Sequence, residues 1–296
     1  MSGFPQLPRT LKTLLLAVYN PVVLTARKIL RWARIFATCP WTDCAVCGRR
    51  GPKAFVPEAV GQELVTMWGL DTREAIDLRL KESLICPWCG SKHRARRIAA
   101  VFLDEKNRAE MGDEFGPILI LNRIDGLDDV FRKLPGTILT DYVDGAQAGT
   151  IVKGVRHEDA QKMTFADGTF SAVIDSETLE HVPDLDQALG EIARVLKPGG
   201  LHIFTVPMKP GTPRTEPRLV RDPAGAWIDR IKPRLHHPGG RWGWVVHTEF
   251  GEDFPAKLRE AGWDVRIDRT ASDDLVGYGR NCVCDVYVTR KPAEKD

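Results

Sequence analysis

Two cysteine pairs, Cys44-Ala-Val-Cys47-Gly48 and Cys86-Pro-Trp-Cys89-Gly90, carry the most specific chemistry in the sequence. Each CxxC turn aims two thiolates at one point, the following glycine relieves the turn, and four thiolates complete the tetrahedron that structural Zn2+ prefers. Such a closed site leaves no coordination position for substrate, so the zinc would be structural; the alternative is a module folded around reduced, unligated thiols. Cys39, Cys282 and Cys284 have no remaining partner pair and read as buried or incidental thiols.

Two further groups could act on a ligand. Lys92-His93-Arg94-Ala-Arg96-Arg97 is a basic cluster behind the second cysteine pair, suited to RNA phosphates, to an anionic small molecule or cofactor carboxylate, or to a solvated helix face. The general-base candidates are His181, His236, His237, His247 and Glu249, of which His181, His247 and Glu249 are the catalytic expectations. Imidazole titrates near neutrality and suits proton removal from a hydroxyl or amine, although a transfer driven by alignment needs no base.

These residues need a scaffold, and the hydrophobic pattern supplies one. From Pro117 onward short apolar runs alternate with helical stripes, which predicts an α/β fold with a parallel sheet covered on both faces. Strands are expected at Ile118 to Asn122, Thr137 to Asp141, Val152 to Arg156, Phe170 to Asp175 and Leu201 to Val206, followed by a pair at Trp263 to Ile267 and Val283 to Thr289. Helices are expected at Leu127 to Lys133, at Leu185 to Leu196 before Pro198-Gly199-Gly200, and at Asp253 to Ala261. The chain divides into a basic segment (1–38), a metal module (39–92), a connecting helix (93–116) and a main domain (117–291). The Pro-, Gly-, Arg- and His-rich stretch at about 208–246 reads as an insertion or lid over that domain.

Within the main domain, Met163-Thr-Phe-Ala-Asp-Gly-Thr-Phe170, Leu179-Glu-His-Val182 and Val195-Leu-Lys-Pro-Gly-Gly200 resemble, in order and spacing, the middle of class I S-adenosylmethionine-dependent methyltransferases of the type 11 kind. The resemblance covers about Pro117 to Arg290 and implies a Rossmann-like sheet of seven strands, the last antiparallel. It implies that Asp141 after strand two holds the cofactor ribose, that Asp159 and Ala160 meet the adenine, and that Asp175 and Ser176 face the methyl-transfer centre. Asn122 stands in the loop after strand one. That loop, Leu121-Asn-Arg-Ile-Asp-Gly126, has one glycine where the family has a glycine-rich turn. A subgroup with an N-terminal CxxC pair, a C-P-x-C-G-S knuckle and a basic helix resembles the chain over nearly its whole length and shares this glycine-poor loop. The implied activity is methyl transfer from S-adenosylmethionine to an oxygen or nitrogen of a small-molecule, saccharide or lipid-linked acceptor. An RNA methyltransferase and a non-catalytic scaffold are the alternatives.

Composition narrows the partners. The 296 residues are 43% hydrophobic and 28% charged, enough for a substantial core, and Lys+Arg exceed Asp+Glu by only 2 (42 against 40). That balance argues against coating nucleic acid. The first forty residues nevertheless hold Arg9, Lys12, Arg27, Lys28, Arg31 and Arg34 with no Asp or Glu. Asn20-Pro21 starts a helix expected to reach about Phe36, with Val22, Ala26, Ile29, Leu30, Ala33 and Phe36 on one face and Arg27, Arg31 and Arg34 on the other. The uncharged run Thr13 to Ala26 is shorter than the ~20 residues of a membrane span, and Ala26 leads into Arg27-Lys28 without a small-x-small cleavage site. The expectation is a retained segment of a cytoplasmic protein. Its helix either packs on the protein's own body, binds a partner, or attaches peripherally to the anionic inner face of a membrane. Each well-placed Lys or Arg contributes about 1 kcal/mol at such a surface. Vesicle co-sedimentation distinguishes the readings: peripheral attachment should need anionic lipid, weaken with salt and vanish when residues 1–38 are removed.

Overall fold

The computed structural model describes residue 30 and residues 41–55, 62–108, 115–127, 131–132, 134–237 and 243–292. The basic helix expected from Asn20 to Phe36 therefore lies outside the described residues, Leu30 excepted. Among the described residues, no helix is long and apolar enough to cross a membrane.

The N-terminal module is built from short pieces. Strands β1 (Trp41–Asp43) and β2 (Arg50–Pro52) pair antiparallel around the first cysteine knuckle, and β3 (Ala54–Phe55) pairs with β4 (Leu84–Ile85), which leads into the second. Between β3 and β4 lie helices α1 (Gln62–Trp68) and α2 (Thr72–Ser83). Asp71 and Glu74 form a capping box on α2: each side chain accepts the other's backbone N–H at 2.8 Å. Helix α3 (His93–Arg108) follows the second knuckle.

The main sheet has eight strands in the order β17-β18-β10-β9-β5-β6-β8-β7. Its members are β5 (Ile118–Ile120), β6 (Thr137–Asp141), β7 (Ile151–Val152), β8 (Val155–His157), β9 (Phe170–Ser176), β10 (Leu196–Thr205), β17 (Asp264–Asp268) and β18 (Val286–Arg290). β5 pairs parallel with both β6 and β9, β6 with β8, and β9 with β10, whereas β18 runs antiparallel between β10 and β17. This is the expected Rossmann-like arrangement, parallel in its centre with an antiparallel strand at β18, with one correction to the expected seven strands. The segment around Val152 to Arg156 is a tight hairpin, so β7 adds an antiparallel edge strand to β8. The turn needs Lys153 and Gly154 at positive φ (49° and 81°).

Alternation along the strands assigns the two faces. Ile118, Ile120, Ala172, Ile174, Ile203 and Val288 pack on one face against Ala95, Ile98, Ala99 and Phe102 of α3. Leu119, Val173, Phe204 and Tyr287 face the other way, onto Leu189, Ile192 and Val195 of α4 (Leu185–Val195) and Phe254 and Leu258 of α5 (Phe254–Glu260). α3, expected to bridge two units, is thus one of the layers covering the sheet. Cys44, Val46 and Cys86 join the same apolar cluster, so the knuckles share its core.

The cationic side of α3 is also buried, which corrects the expectation of a solvated or RNA-binding cluster. Arg96 Nε donates to Asp274 Oδ2 at 2.6 Å, Arg97 to Asp268 Oδ1 at 2.5 Å, and Asp274 further accepts from Thr42 Oγ1 at 2.8 Å and His93 Nδ1 at 3.3 Å. Asp274 is the hub that joins β1, α3 and the turn after β17. Its burial alone would raise its pKa, but hydrogen bonding from His93 and the charge of Arg96 hold it well below the usual carboxylate range.

Asp274→Asn should therefore destabilise the protein by about 3 to 5 kcal/mol, because it leaves a buried arginine without its counter-charge. Urea denaturation would measure the loss. Because the native pKa is depressed, the contribution is complete above the unfolded Asp pKa of about 4 and is lost as pH falls through the native value. The wild-type stability should accordingly fall on the acid side, and the Asn variant should fall less steeply there.

Candidate active site and metal centre

The chain crosses from β8 back to β9 on the other side of β5, so the order of strands reverses between β5 and β9, where doubly wound sheets hold ligands beyond the carboxyl ends. Asn122 and Ser176 occupy those two ends. The Asn122 amide donates to the Ser176 carbonyl at 3.0 Å and accepts from its N–H at 3.2 Å. The Ser176 hydroxyl contacts Thr205 Oγ1 at 2.9 Å and accepts from Arg94 of α3 at 2.5 Å. Arg94 also meets Glu82 (3.1 Å) and Asp125 (3.3 Å), and Lys81 donates to Glu177 at 2.8 Å. Glu177 is held at φ 53°, an uncommon conformation for a non-glycine residue and one placed where the chain leaves β9.

The loop after β5 is shaped by the knuckle beside it. Gly126 has φ +71°, and a Cβ there would stand 2.6 Å from the Cys89 carbonyl oxygen and 3.2 Å from the Ser91 nitrogen. The single glycine in this loop therefore serves the approach of the second knuckle.

The predicted ribose and adenine residues lie on the neighbouring strands. Asp141 closes β6 and accepts the Tyr142 N–H at 3.0 Å. Asp159, with Ala160 next to it, follows β8, and its Oδ1 accepts the Gln161 N–H at 2.9 Å. Asp175, expected to face the transfer centre, instead lies fully buried within the sheet layer, 2.6 Å from His202 Nε2. Alternation explains the difference: Asp175 shares the face of Val173, and His202 stacks on Phe204 of that face at 4.1 Å between ring centroids. Burial raises the Asp175 pKa against the opposing hydrogen bond from His202.

The insertion folds as three small antiparallel pairs. β11 (Glu216–Pro217) joins β16 (Thr248–Glu249), β12 (Leu219–Arg221) joins β13 (Trp227–Asp229), and β14 (His236–His237) joins β15 (Trp244–Val245). Its return strand is fixed to the turn after β9, where His247 N–H donates to the Glu180 carbonyl at 2.7 Å. This sets His247 beside the turn that carries His181, whose ring stands 5.0 Å from that of His237, whereas Glu249 is turned to other partners. Glu249 is engaged by Arg218 at 2.8 Å, and burial together with the charges of His181, Arg234 and Arg221 pushes His247 down to about 4. His247 is thus neutral at pH 7 and a weak base. His181 is held by donating Nδ1–H to the Val245 carbonyl at 2.8 Å. Sequence reasoning missed Glu180 and the positioning part of Arg94; the signals were a carboxylate adjoining a histidine and an arginine in the first turn of an apolar-striped helix.

The four predicted metal ligands converge. One sulfur of each of Cys44, Cys47, Cys86 and Cys89 lies within 4.8 Å of the others, with 3.8 Å for Cys44–Cys89 and 4.0 Å for Cys47–Cys86. A tetrahedron with Zn–S bonds of about 2.3 Å has S–S edges of about 3.8 Å, so the sulfurs already stand at zinc spacing. Both knuckles close alike: Gly48 N–H donates to the Cys44 carbonyl at 2.8 Å and Gly90 N–H to the Cys86 carbonyl at 2.9 Å, with φ of 70° and 72° at the glycines. Ser91 Oγ lies 3.1 Å from Cys89 Sγ and 3.6 Å from Cys44 Sγ, where its hydroxyl can support a thiolate. Cys282 and Cys284 remain free thiols away from this centre, and Cys39 lies outside the described residues.

Comparison with known proteins agrees with the fold. Residues 140–204, from the end of β6 to β10, match the family described as Methyltransferase domain. Demethylmenaquinone methyltransferase of Streptomyces avermitilis is 55% identical over 129 residues, 41% of this chain and 54% of its own length. The 27-O-demethylrifamycin SV methyltransferase of Amycolatopsis mediterranei is 30% identical over 127 residues, 42% of this chain and 39% of its own. The chain spans about half, or less, of the length of the curated relatives it matches. Among solved structures, an amino pentose methyltransferase of Micromonospora echinaspora is similar at 16% identity and TM-score 0.42, over 68% of this chain and 92% of the other.

Purified without chelator, the protein should carry a zinc held by Cys44, Cys47, Cys86 and Cys89, whatever other metal it binds. Cys86→Ser should lose it and lower the thermal midpoint, since a structural site contributes its binding energy to folding. Elemental analysis beside a melting curve checks both.

Proposed function

We propose that this chain is an S-adenosylmethionine-dependent methyltransferase acting on a small-molecule, saccharide or lipid-linked acceptor, with a structural zinc in its N-terminal module. The observation that carries this reading is the methyltransferase match over residues 140–204, which runs from the end of β6 to β10 and includes β9, one of the two strands at the switch point.

The chemistry of the residues at those strand ends fits the cofactor. A ribose diol is bound by a carboxylate acceptor, which Asp141 supplies at the end of β6, and the adenine amino group by Asp159 beside Ala160. The amino-acid end of the cofactor is a zwitterion, and Arg94 with Asp125, 3.3 Å apart, offers one charge to each of its groups. Asn122 and Ser176 hold β5 and β9 in register beneath it. When bound, the cofactor supplies an electrophilic methyl group. The protein's part is to align the acceptor and to exclude water, which the insertion does from above the turn at Leu179–His181.

The demethylmenaquinone and rifamycin methyltransferases among the relatives act on small molecules by name, which supports that acceptor class. Arg96 and Arg97 are committed to internal carboxylates, which weakens the RNA alternative. The scaffold alternative draws on one observation: the Asn122 amide and Gly126, the residues of the β5 loop nearest the cofactor position, are already engaged by Ser176 and the knuckle.

Calorimetric titration with S-adenosylmethionine and its demethylated product separates the two readings. An enzyme should bind both, and Asp141→Ala should weaken binding by about 1 to 3 kcal/mol, the scale of a lost hydrogen bond from a charged group. Absence of binding to zinc-loaded wild type would favour the scaffold.

A further inference from the structure

Beside the switch point, Glu180, His181 and His237 make a second cluster that the methyl-transfer chemistry leaves unexplained. Glu180 is fully buried, and among the described residues neither of its carboxylate oxygens has a hydrogen-bond partner. An isolated carboxylate in such a place costs several kcal/mol unless a cation answers it. What faces it are two imidazole nitrogens: His181 Nε2 and His237 Nδ1 each stand 3.4 Å from Glu180 Oε1.

The orientation of His181 sharpens the point. Its Nδ1–H is committed to the Val245 carbonyl, so Nε2 is the nitrogen left to face the carboxylate. A metal-binding histidine is oriented in this way, with its far nitrogen donating to a backbone carbonyl. The rings of His181 and His237 stand 5.0 Å apart at 89° to each other. One donor atom from each of the three residues lies within 4.8 Å of the others. With metal–donor bonds of about 2.1 Å, tetrahedral coordination sets donors about 3.4 Å apart.

We infer that Glu180, His181 and His237 bind a divalent transition metal ion, distinct from the four-thiolate site. Two imidazoles and one carboxylate suit zinc and its neighbours, and three protein ligands leave a position open to water or to an oxygen of the bound acceptor. Glu180 and His181 belong to the turn after β9 and His237 to the insertion, so the ion joins the insertion to the sheet at the acceptor side. That acceptor role rests on the methyltransferase reading; metal binding does not.

The test uses full-length protein given one equivalent of Zn2+ to fill the tighter thiolate site, then titrated calorimetrically with further Zn2+ in the absence of cofactor and acceptor. Wild type should take up a second equivalent and melt at a higher temperature. Glu180→Gln and His237→Ala should weaken that second event by about tenfold or more while the first is unchanged. Glu180→Gln also separates metal binding from simple structure: without the second metal it removes a buried uncompensated charge, so it should melt no lower than wild type and respond no further to Zn2+. Uptake of only one equivalent by wild type, or equal second-site affinity in wild type and both variants, would overturn the proposal. Failure here with intact cofactor binding would leave the methyltransferase reading standing.

Discussion

Helix α3 holds the molecule together because its first two turns are buried on both the apolar and the cationic side. Its apolar side carries Ile98 and Phe102 into the core over β5, β9 and β10, while Arg94, Arg96 and Arg97 each meet a carboxylate from a different part of the chain. Burying three guanidinium groups is costly unless each is paired and hydrogen-bonded. Their partners Asp125, Asp274 and Asp268 lie after β5, after β17 and at the end of β17. The helix can dock only when the sheet is complete from its centre to that edge. The four-cysteine module precedes this helix directly and inherits its position, which is why knuckle and ligand-side loop are packed against each other.

The parts legible in the sequence were those set by local pattern. Thr137 to Asp141 and Phe170 to Asp175 read as strands and form β6 and β9, because short runs rich in β-branched and apolar residues between turns suit strands. The cysteine spacing predicted a cluster that the fold assembles from residues 39 to 45 positions apart. The basic cluster was misread for the complementary reason. Charge along α3 is local, but the carboxylates that bury it are 171 and 178 positions away in sequence, at Asp268 and Asp274. The same blindness hid the burial of Asp175, whose direction depends on strand alternation and on His202 across the sheet.

At the ligand side, charge is arranged in separate pairs. Lys81 with Glu177, Arg94 with Glu82 and Asp125, and Arg218 with Glu249 are each fixed by an ion pair of 2.8 to 3.3 Å. Preorganisation of this kind costs stability during folding and spares reorganisation during ligand binding. His247, neutral because it is buried among positive neighbours, adds a polar but uncharged wall to the same region.

The attachment of the insertion has a consequence for how the protein can diversify. The insertion meets the body through a main-chain bond, His247 N–H to the Glu180 carbonyl, and is closed on itself by two more: Arg218 N–H to the His247 carbonyl at 2.7 Å and Val246 N–H to the Leu235 carbonyl at 2.9 Å. Main-chain bonds of this kind do not depend on which side chains stand beside them. Exposed positions such as Ile228 and Trp244 are consequently free to drift in sequence without unseating the insertion. The surface chemistry of the insertion and its structural integrity are therefore inherited on different groups of atoms, and selection can change the first while leaving the second alone.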